Sequence, residues 1–537
     1  MTTLPAHPIL SCDEARALEA RLFGGDEARE WPAMQCAGRA IGVAVLEDFQ
    51  EIGGFSAAGR VLVLVGKGHN GGDALIATRT ILEQYPQAGA DVLFVFGEQA
   101  LRPLTQRAWQ ELLQTAPQRV AARRVGEGDL AYDLCLDGVF GFQFRPPLDE
   151  RAGAALRWAN ARSVRLRAAV DLPSGLDTSD AFRADFTYAT GSVKAPALQC
   201  PNAGRLRNLD LGFFDPARQD DWPGHTDFVL LPSVLSPLSA LRSPLSDKRA
   251  YGHLFVLGAS RNYPGAALLA VLAALRSGAG LVTAFVPESL APAFAARAPE
   301  AMWIGWPETA EGGLALAGHY LIRERLARAT ALVLGPGLGR ETETLTLAAN
   351  IMEAATVPVV LDADALQPDI VRAGSAPRVL TPHAGEFARI AGDAALRNFC
   401  GKTGATVVLK GPITHIGTAE AVYHSCFGGP VLARGGSGDL LAGLIGGLLA
   451  QAVAEQLPVP SCRAGSPAVS LSNRPNPAGS GTGKAAAYGD AALQAAARGV
   501  VWHGRAADAL ARAKGQVAVQ TTQVLDYLSA ALRDVHS

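Results

Sequence analysis

Well into the second half of the chain, Ala433-Arg434-Gly435-Gly436-Ser437-Gly438-Asp439 runs directly into the apolar stretch Leu440–Ala450. Small residues that open a helix leave its first N–H groups unpaired and its positive dipole end exposed. Such an end binds anions, phosphate above all. Asp439 stands where that anion would lie. A carboxylate there costs electrostatic energy unless it has work to do. Deprotonating a hydroxyl that attacks a phosphoryl group is such work.

Four other loops should gather with this turn. Gly335-Pro336-Gly337-Leu338-Gly339 follows an apolar strand, and its glycines permit close backbone approach to a ligand. Asp362-Ala363-Asp364-Ala365-Leu366 ends a strand with two carboxylates. Thr381-Pro382-His383-Ala384-Gly385-Glu386 puts His383 and Glu386 near a helix start. Lys410-Gly411-Pro412-Ile413-Thr414 follows another strand, and Lys410 is a natural partner for nucleotide phosphates. No Walker P-loop is present. The nearest match, Gly479–Ala485, is one residue short and lacks the Ser/Thr.

The first half has its own set. Gly66-Lys67-Gly68-His69-Asn70-Gly71-Gly72-Asp73 follows an apolar strand and satisfies the G-x-G-x-x-G spacing of dinucleotide sites. That fingerprint also wants an acid at the end of the next strand, for the ribose. The acid about twenty residues on, Asp91, opens its strand instead, so a hydride-transfer domain is not expected. Asp137 and Asp171 do end strands, and Ser174 follows in Asp171-Leu172-Pro173-Ser174-Gly175-Leu176-Asp177. These residues should meet at the carboxyl edge, where open α/β sheets bind ligands. Asn, Asp and Ser oxygens without a Cys or His cluster suit a hard cation rather than zinc.

The elements that must position these residues alternate. Helices are expected at Cys12–Phe23 and Met34–Phe49, strand Val61–Val65, helix Asp73–Glu83, and strands Asp91–Phe96, Leu134–Asp137 and Ala168–Asp171. Between Phe213 and Asp247 the rhythm dissolves into prolines, which places a linker at 216–246 between domains at 1–215 and 247–537. It restarts with strand Leu254–Leu257, helix Gly265–Ser277, and strands Leu281–Phe285, Ala331–Leu334, Val357–Leu361, Arg378–Thr381 and Thr406–Leu409. Both halves read as α/β with a mainly parallel sheet. The Ser/Pro/Gly/Asn-rich run Ser461–Lys484 reads as an exposed, disordered insertion.

With 537 residues the chain is too long for one core. A formal charge of −2 leaves no footprint for nucleic acid or an anionic membrane. Seven scattered cysteines without Cys-x-x-Cys spacing read as reduced thiols. No signal peptide is indicated, and Leu440–Ala454 is shorter than the ~20 residues of a membrane span, so a cytoplasmic protein is expected. Leu440, Leu444 and Leu448, like Leu441, Ile445 and Leu449, recur at i+4, which predicts a helix apolar on every face and buried.

The N-terminal motifs, with Leu136-Asp137-Gly138-Val139-Phe140-Gly141 between the other two, resemble in their order those of the NAD(P)H-hydrate epimerase domain. That resemblance implies a Rossmann-like three-layer sandwich. The implied reaction interconverts R and S NADH or NADPH hydrated at C6 of the nicotinamide. By motif match, potassium falls on Asn70, Asp137 and Ser174. Substrate falls on His69, Asn70, Gly71, Gly72, Asp73, Gly141, Phe142, Gln143, Phe144, Arg145, Pro146, Pro147 and Asp171, and acid–base work on Asp137. The family usually has Asn where His69 stands and Gly-Thr-Gly where Gly141-Phe142-Gln143 stands.

The C-terminal loops, together with Tyr251-Gly252-His253, Gly265-Ala266 and Arg276–Val282, resemble the ribokinase-like, three-layer α/β/α ADP-dependent NAD(P)H-hydrate dehydratase. This resemblance implies phosphorylation of the hydrate hydroxyl by ADP, then elimination of phosphate, with Mg2+ as cofactor. Asp439 would be the base, Ala266, Gly337, His383 and Asp439 would contact the hydrate, and Lys410, Gly411, Pro412, Ile413, Thr414 and Gly438 would hold the nucleotide. The two domains in this order resemble the bacterial bifunctional NAD(P)H-hydrate repair enzymes, for which a homo-oligomer is expected. Where that family has Asn-Pro-Gly-Met-Ala-Thr, this chain has Gly429-Pro430-Val431-Leu432-Ala433-Arg434. A ribokinase-like small-molecule kinase with a non-catalytic N-terminal binding module would share the Gly-Gly-Ser-Gly-Asp logic but not explain the N-terminal motifs.

Overall fold

Residues 4–127, 131–214, 224–456 and 481–533 are described by a computed structural model. The chain divides into two compact units. One comprises His7–Val229 with Leu510–Val519, the other Met1–Ala6, Leu230–Ala509 and Gln520–Ser537. Residues 216–223 of the expected linker lie outside the described residues. The remainder of it carries strand Asp227–Leu230 and the 3-10 stretch Pro232–Ser239.

In the N-terminal unit seven described strands pair in parallel, in the order Val120–Arg123, Gly89–Phe94, Arg60–Val65, Tyr132–Gly138, Val164–Val170, Phe186–Thr190, Arg205–Leu209. Strand residues alternate between two cores. Val61, Val63 and Val65 pack with helices Glu27–Phe49, His69–Gln84 and Pro103–Thr115; Leu62 and Leu64 pack with helix Glu150–Asn160. Helices on both faces make three layers. The strand order reverses between Arg60–Val65 and Tyr132–Gly138, the crevice where such sheets bind ligands. The loop Gly66–Gly68 and Asp137 both emerge there.

Local chemistry sets the helix limits. Helix Cys12–Phe23 starts on a capping box between Ser11 and Glu14 and stops at left-handed Gly24. The expected helix Asp73–Glu83 is longer, His69–Gln84, because the turn His69-Asn70-Gly71-Gly72 is itself helical. Its glycines serve packing: a Cβ on Gly72 would lie 2.8 Å from Met34 Sδ. Asp91 is the third residue of its strand at the amino edge, accepting from Tyr132 Oη at 2.9 Å and Arg123 Nε at 3.1 Å. It is a structural acid, far from any ribose site.

In the C-terminal unit the order is Met302–Trp306, Leu281–Pro287, His253–Leu257, Ala331–Leu334, Val359–Leu361, Arg378–Leu380, Thr406–Leu409, Thr414–Gly417, Val422–Ser425. Pairing is parallel as far as Thr406–Leu409 and antiparallel for the last two strands. Helix Ser437–Glu455 packs on helix Pro264–Arg276 and on strands His253–Leu257 and Ala331–Leu334. At 19 residues it is long and apolar enough to cross a membrane, which corrects the shorter stretch read from sequence. Of its most apolar 18-residue window 72% is buried, as its periodicity required. Its glycines admit neighbours: a Cβ on Gly443 would stand 2.1 Å from the Ala270 carbonyl.

Of the expected insertion, residues 461–480 lie outside the described residues. Gly481–Lys484 are a correction: they wind into helix Gly481–Lys514, which the following alanines propagate. The described part of the near P-loop match, Gly481–Ala485, is therefore helical. Among the described residues the cysteines form no disulfide.

Candidate functional site

The N-terminal site is built around Asp137, the penultimate residue of strand Tyr132–Gly138 and fully buried. The Ser174 amide donates to Asp137 Oδ2 and the Ser174 hydroxyl to Oδ1, both at 2.7 Å, and the Val139 amide to Oδ1 at 3.2 Å. Burial pushes the Asp137 carboxyl up to about 6 against these donors. Ser174 Oγ accepts from the Phe140 amide at 2.8 Å and lies 3.3 Å from the Phe140 carbonyl. Asn70 Nδ2 donates to the carbonyls of Val170 at 2.9 Å and Phe140 at 3.4 Å. Gly141 lets Asn70 in: a Cβ there would be 2.5 Å from Asn70 Oδ1.

This surround comes from a strand end, a helix start and a loop, and its groups are a carboxylate, a hydroxyl, a side-chain amide and two carbonyls. Half a turn of the Asn70 amide exchanges its NH2 for an oxygen facing the same carbonyls. The donor chemistry fits a hard, weakly charged cation at Asn70, Asp137 and Ser174.

Asp171 closes one side. It is buried, with φ 67, and accepts from the Phe142 amide at 3.2 Å and from the Lys194 ammonium. Lys194 was not a sequence candidate. The signal was there: a lysine four residues past strand Phe186–Thr190, on the same carboxyl edge. Asp73 is buried with Oδ1 unpartnered, and burial, then Glu19 and Asp171, push its carboxyl well up. Glu19, from helix Cys12–Phe23, is also pushed up to about 7, by burial first and then by Asp171 and Glu30, against Lys194. No motif marks Glu19; only the fold brings it in.

The remaining candidates sit at the rim. His69 Nε2 lies 3.3 Å from Glu30 Oε2. Gly71 packs beneath Gly66, where a Cβ would be 2.5 Å from the Gly66 carbonyl. Phe144 lies 5.1 Å from the Phe140 ring. Gln143, Arg145, Pro146 and Pro147 are exposed, and Arg145 pairs with Asp13 at 2.9 Å.

The C-terminal site gathers at the start of helix Ser437–Glu455. Gly436, at φ 87, makes the turn; a Cβ there would meet Leu269 Cδ1 at 2.5 Å. Gly438 leaves room for Lys410, whose Nζ is 3.0 Å from where a Cβ would be. Lys410 Nζ donates to Asp362 Oδ1 at 3.1 Å, and the Thr381 hydroxyl donates to the same oxygen at 2.7 Å. Burial pulls the Lys410 ammonium down, but Asp362, Glu386 and Asp439 together hold it above its ordinary value.

Asp439 is pushed up to about 7, by burial first, then by Asp362, with Asp364 and Glu386 adding to it and Lys410 opposing. It is thus poised near neutrality, as a base for a hydroxyl proton should be.

His383 is the N-cap of helix Ala384–Ala391. Its Nδ1 accepts from the amides of Gly385 at 3.0 Å and Glu386 at 3.3 Å, while Glu386 accepts from the His383 amide. With Nδ1 an acceptor, the ring proton sits on Nε2, which lies 3.5 Å from Glu386 Oε1 on a largely exposed side chain. The Lys410 amide donates to the Pro382 carbonyl at 2.8 Å, tying this loop to Lys410–Thr414. Gly411 and Pro412 are exposed, Ile413 and Thr414 half-buried.

Gly337, at φ 63, lies against Tyr263 and Ala266: a Cβ would be 2.4 Å from the Tyr263 carbonyl and 2.9 Å from Ala266 Cβ. Asp364 is held by the Gly339 amide at 3.1 Å and Arg340 at 3.0 Å. Arg434, the departure just upstream, is half-buried, and its carbonyl accepts from the Ser437 amide at 3.3 Å. A buried residue absent from the sequence reading is His503, held down to about 4 by burial and then by Lys410; nothing in its alanine-rich helix marked it.

The N-terminal motifs fall inside residues 33–195, which match a family described as YjeF-related protein N-terminus. Residues 254–530 match the family described as NAD(P)H-hydrate dehydratase. The chain is similar to the bifunctional NAD(P)H-hydrate repair enzyme of Gloeobacter violaceus, with 36% identity covering 84% of this chain and 90% of that one. It is similar to the enzyme of the same name from Moorella thermoacetica, with 30% identity covering 94% and 92%. The solved ADP/ATP-dependent NAD(P)H-hydrate dehydratase of Bacillus subtilis, co-crystallised with ATP and Mg2+, matches 55% of this chain and 94% of its own at 25% identity and a TM-score of 0.41. With relatives of this likeness matched over nearly their whole length, the chain belongs to the bifunctional NAD(P)H-hydrate repair enzyme family.

Proposed function

We propose that this protein repairs NADH and NADPH hydrated at C6 of the nicotinamide: the N-terminal unit interconverts the R and S hydrates, and the C-terminal unit dehydrates the S form at the expense of ADP. The observation that carries the reading is the position of Asp439, one turn into a buried helix whose amide end faces Lys410 and Asp362.

Hydroxide leaves a carbon poorly, whereas a phosphate ester leaves well. Asp439 takes the proton of the C6 hydroxyl as its oxygen bonds to the terminal phosphorus of ADP and the bond to the bridging oxygen breaks, releasing AMP. The amides of Gly436–Gly438 and the Lys410 ammonium hold the charge that builds on the transferring group. The phosphate then leaves C6 with the C–O electron pair. A proton is lost from the neighbouring carbon, restoring the ring double bond.

Lys410, Gly411, Pro412, Ile413, Thr414 and Gly438 serve the nucleotide. Ala266, Gly337 and the exposed ring of His383 serve the hydrate. The excess of carboxylates over the single ammonium here fits Mg2+, which Asp362 and Glu386 would hold with nucleotide phosphates. When bound, it offsets phosphate charge.

In the N-terminal unit Asp137 gives its proton to the C6 hydroxyl as the C6–O bond breaks and water leaves, the ring nitrogen supplying the electron pair to C6. Asp137 takes a proton back as water adds to the other face and the pair returns to nitrogen. Its fully buried setting gives it the pKa for both directions. The oxygens of Asn70, Asp137 and Ser174 would hold K+, which supplies fixed positive charge beside the reacting hydroxyl. His69–Asp73, Gly141–Pro147 and Asp171 line the substrate side.

The test is to supply each purified hydrate with and without ADP. The S hydrate should yield NADH only with ADP, and the R hydrate should first become S. Dehydration that needs no nucleotide would reject the phosphoryl-transfer reading.

A further inference from the structure

Asp171 faces the N-terminal site, yet both its oxygens are already engaged. The Lys194 ammonium donates to Oδ1 and the Phe142 amide to Oδ2 at 3.2 Å. The two side chains are among the most buried ionic groups of the unit, at 3% and 1% exposure. Lys194 is fully committed as well. It donates to the Thr190 carbonyl at 3.1 Å and stands 5.2 Å from the centre of the Phe142 ring.

Its backbone is pinned by the start of the chain: the Leu10 amide donates to Val193 and the Ala195 amide to Leu10, at 3.0 and 2.8 Å. Asp171 itself lies in the left-handed region at φ 67, an uncommon conformation for a residue with a Cβ that Asp tolerates better than most and that its contacts here hold in place. That bend turns the chain from strand Val164–Val170 back toward Ser174, whose amide and hydroxyl grip Asp137.

We propose that Lys194 is a positioning residue for the N-terminal reaction: by holding Asp171 in its strained bend, it fixes the Phe142 loop on one side and the Ser174–Asp137 contact on the other. The inference rests on the epimerase reading of this unit and extends it to a residue that never touches substrate.

Charge and shape both matter. Asp73 and Glu19 face the same ammonium, so its removal leaves the Asp171 carboxylate buried beside two further carboxyls, with its only cationic partner and one donor gone. The carboxylate must then turn outward, and the bend with it. An arginine keeps the charge, but its planar fork cannot reproduce a point ammonium shared between Asp171 and the Thr190 carbonyl. A shift of about 1 Å at the reacting groups is enough to cost roughly 10²-fold in rate.

The experiment measures kcat and KM for R-to-S conversion in the full chain for wild type, K194M, K194R and D171N/K194M. ADP-driven dehydration of the S hydrate and thermal melting are followed alongside. K194M should lose about 100-fold in kcat with KM within about threefold. K194R should recover only part of this. The double variant, which removes the buried charge mismatch, should regain the melting temperature without regaining kcat. Dehydration should be unchanged throughout.

Wild-type kcat in K194M or in the double variant would overturn the proposal, as would a loss confined to KM. If K194M fails to fold, K194R and the double variant carry the same decision. Wild-type protein that dehydrates the S hydrate yet leaves the R hydrate untouched would sink the epimerase reading itself.

Discussion

Asp439 can take a proton only when ionised, and its carboxyl is held at about 7 by burial and by Asp362. For the free protein, kcat/KM for dehydration should therefore rise with pH through about 7 and level off above it, read from initial rates across a buffer series. A profile flat from pH 5 to 8 would reject Asp439 as the base. Removing the carboxylate in Asp439→Asn should cost roughly 10²–10⁴-fold in kcat, with nucleotide binding kept. In the N-terminal unit, Ser174→Ala strips Asp137 of a 2.7 Å hydrogen bond and the surround of one oxygen. Epimerisation should then need more K+ for half-maximal rate, seen in a titration against a Na+ background. An unchanged requirement would reject the cation assignment. At this scale the motifs were enough to bring Asn70, Asp137 and Ser174 to one place and Asp439 to a helix start beside Lys410 and Asp362. The sequence was silent on Lys194, Glu19 and His503, whose settings arise from burial and from charges brought in by distant segments.

The glycine turn works because Gly436 adopts a left-handed φ of 87 against Leu269. Gly436→Ala should strain the turn by about 1–2 kcal/mol and swing the helix amides off the phosphate, so dehydration falls while epimerisation persists. Leu444, fully buried in helix Ser437–Glu455, should cost about 2–5 kcal/mol on truncation to alanine, measured by denaturant melting. Loss below about 1 kcal/mol would mean the helix is not the core element described. Periodicity announced that helix and the central strands, because a fully buried parallel sheet writes itself as apolar runs. Helices such as Glu150–Asn160 and Thr342–Ala354, and edge strands such as Val120–Arg123, carry mixed surfaces and left weaker marks. The turn His69–Gly72 read as loop because of its glycines, yet packing against Met34 makes it helix.

On the scale of the whole molecule, sites and stability oppose each other. A carboxyl whose folded pKa is raised from 3.8 to about 7 stabilises the fold only while protonated, and the unfolded chain releases that proton first as pH rises. Wild type should therefore lose stability relative to Asp439→Asn between about pH 4 and pH 7. The ligand-free variant should be more stable above pH 7 by an amount on the order of 4 kcal/mol, with the difference vanishing below pH 4. Equal melting curves at pH 8 would contradict the burial described for this site. The two units supply separable steps, and the most direct measurement follows recovery of reduced-nicotinamide absorbance from a mixture of R and S hydrates with ADP, Mg2+ and K+. At early times wild type should restore the whole mixture, Asp137→Asn only the S portion, and Asp439→Asn none. Full recovery by Asp439→Asn would contradict the account.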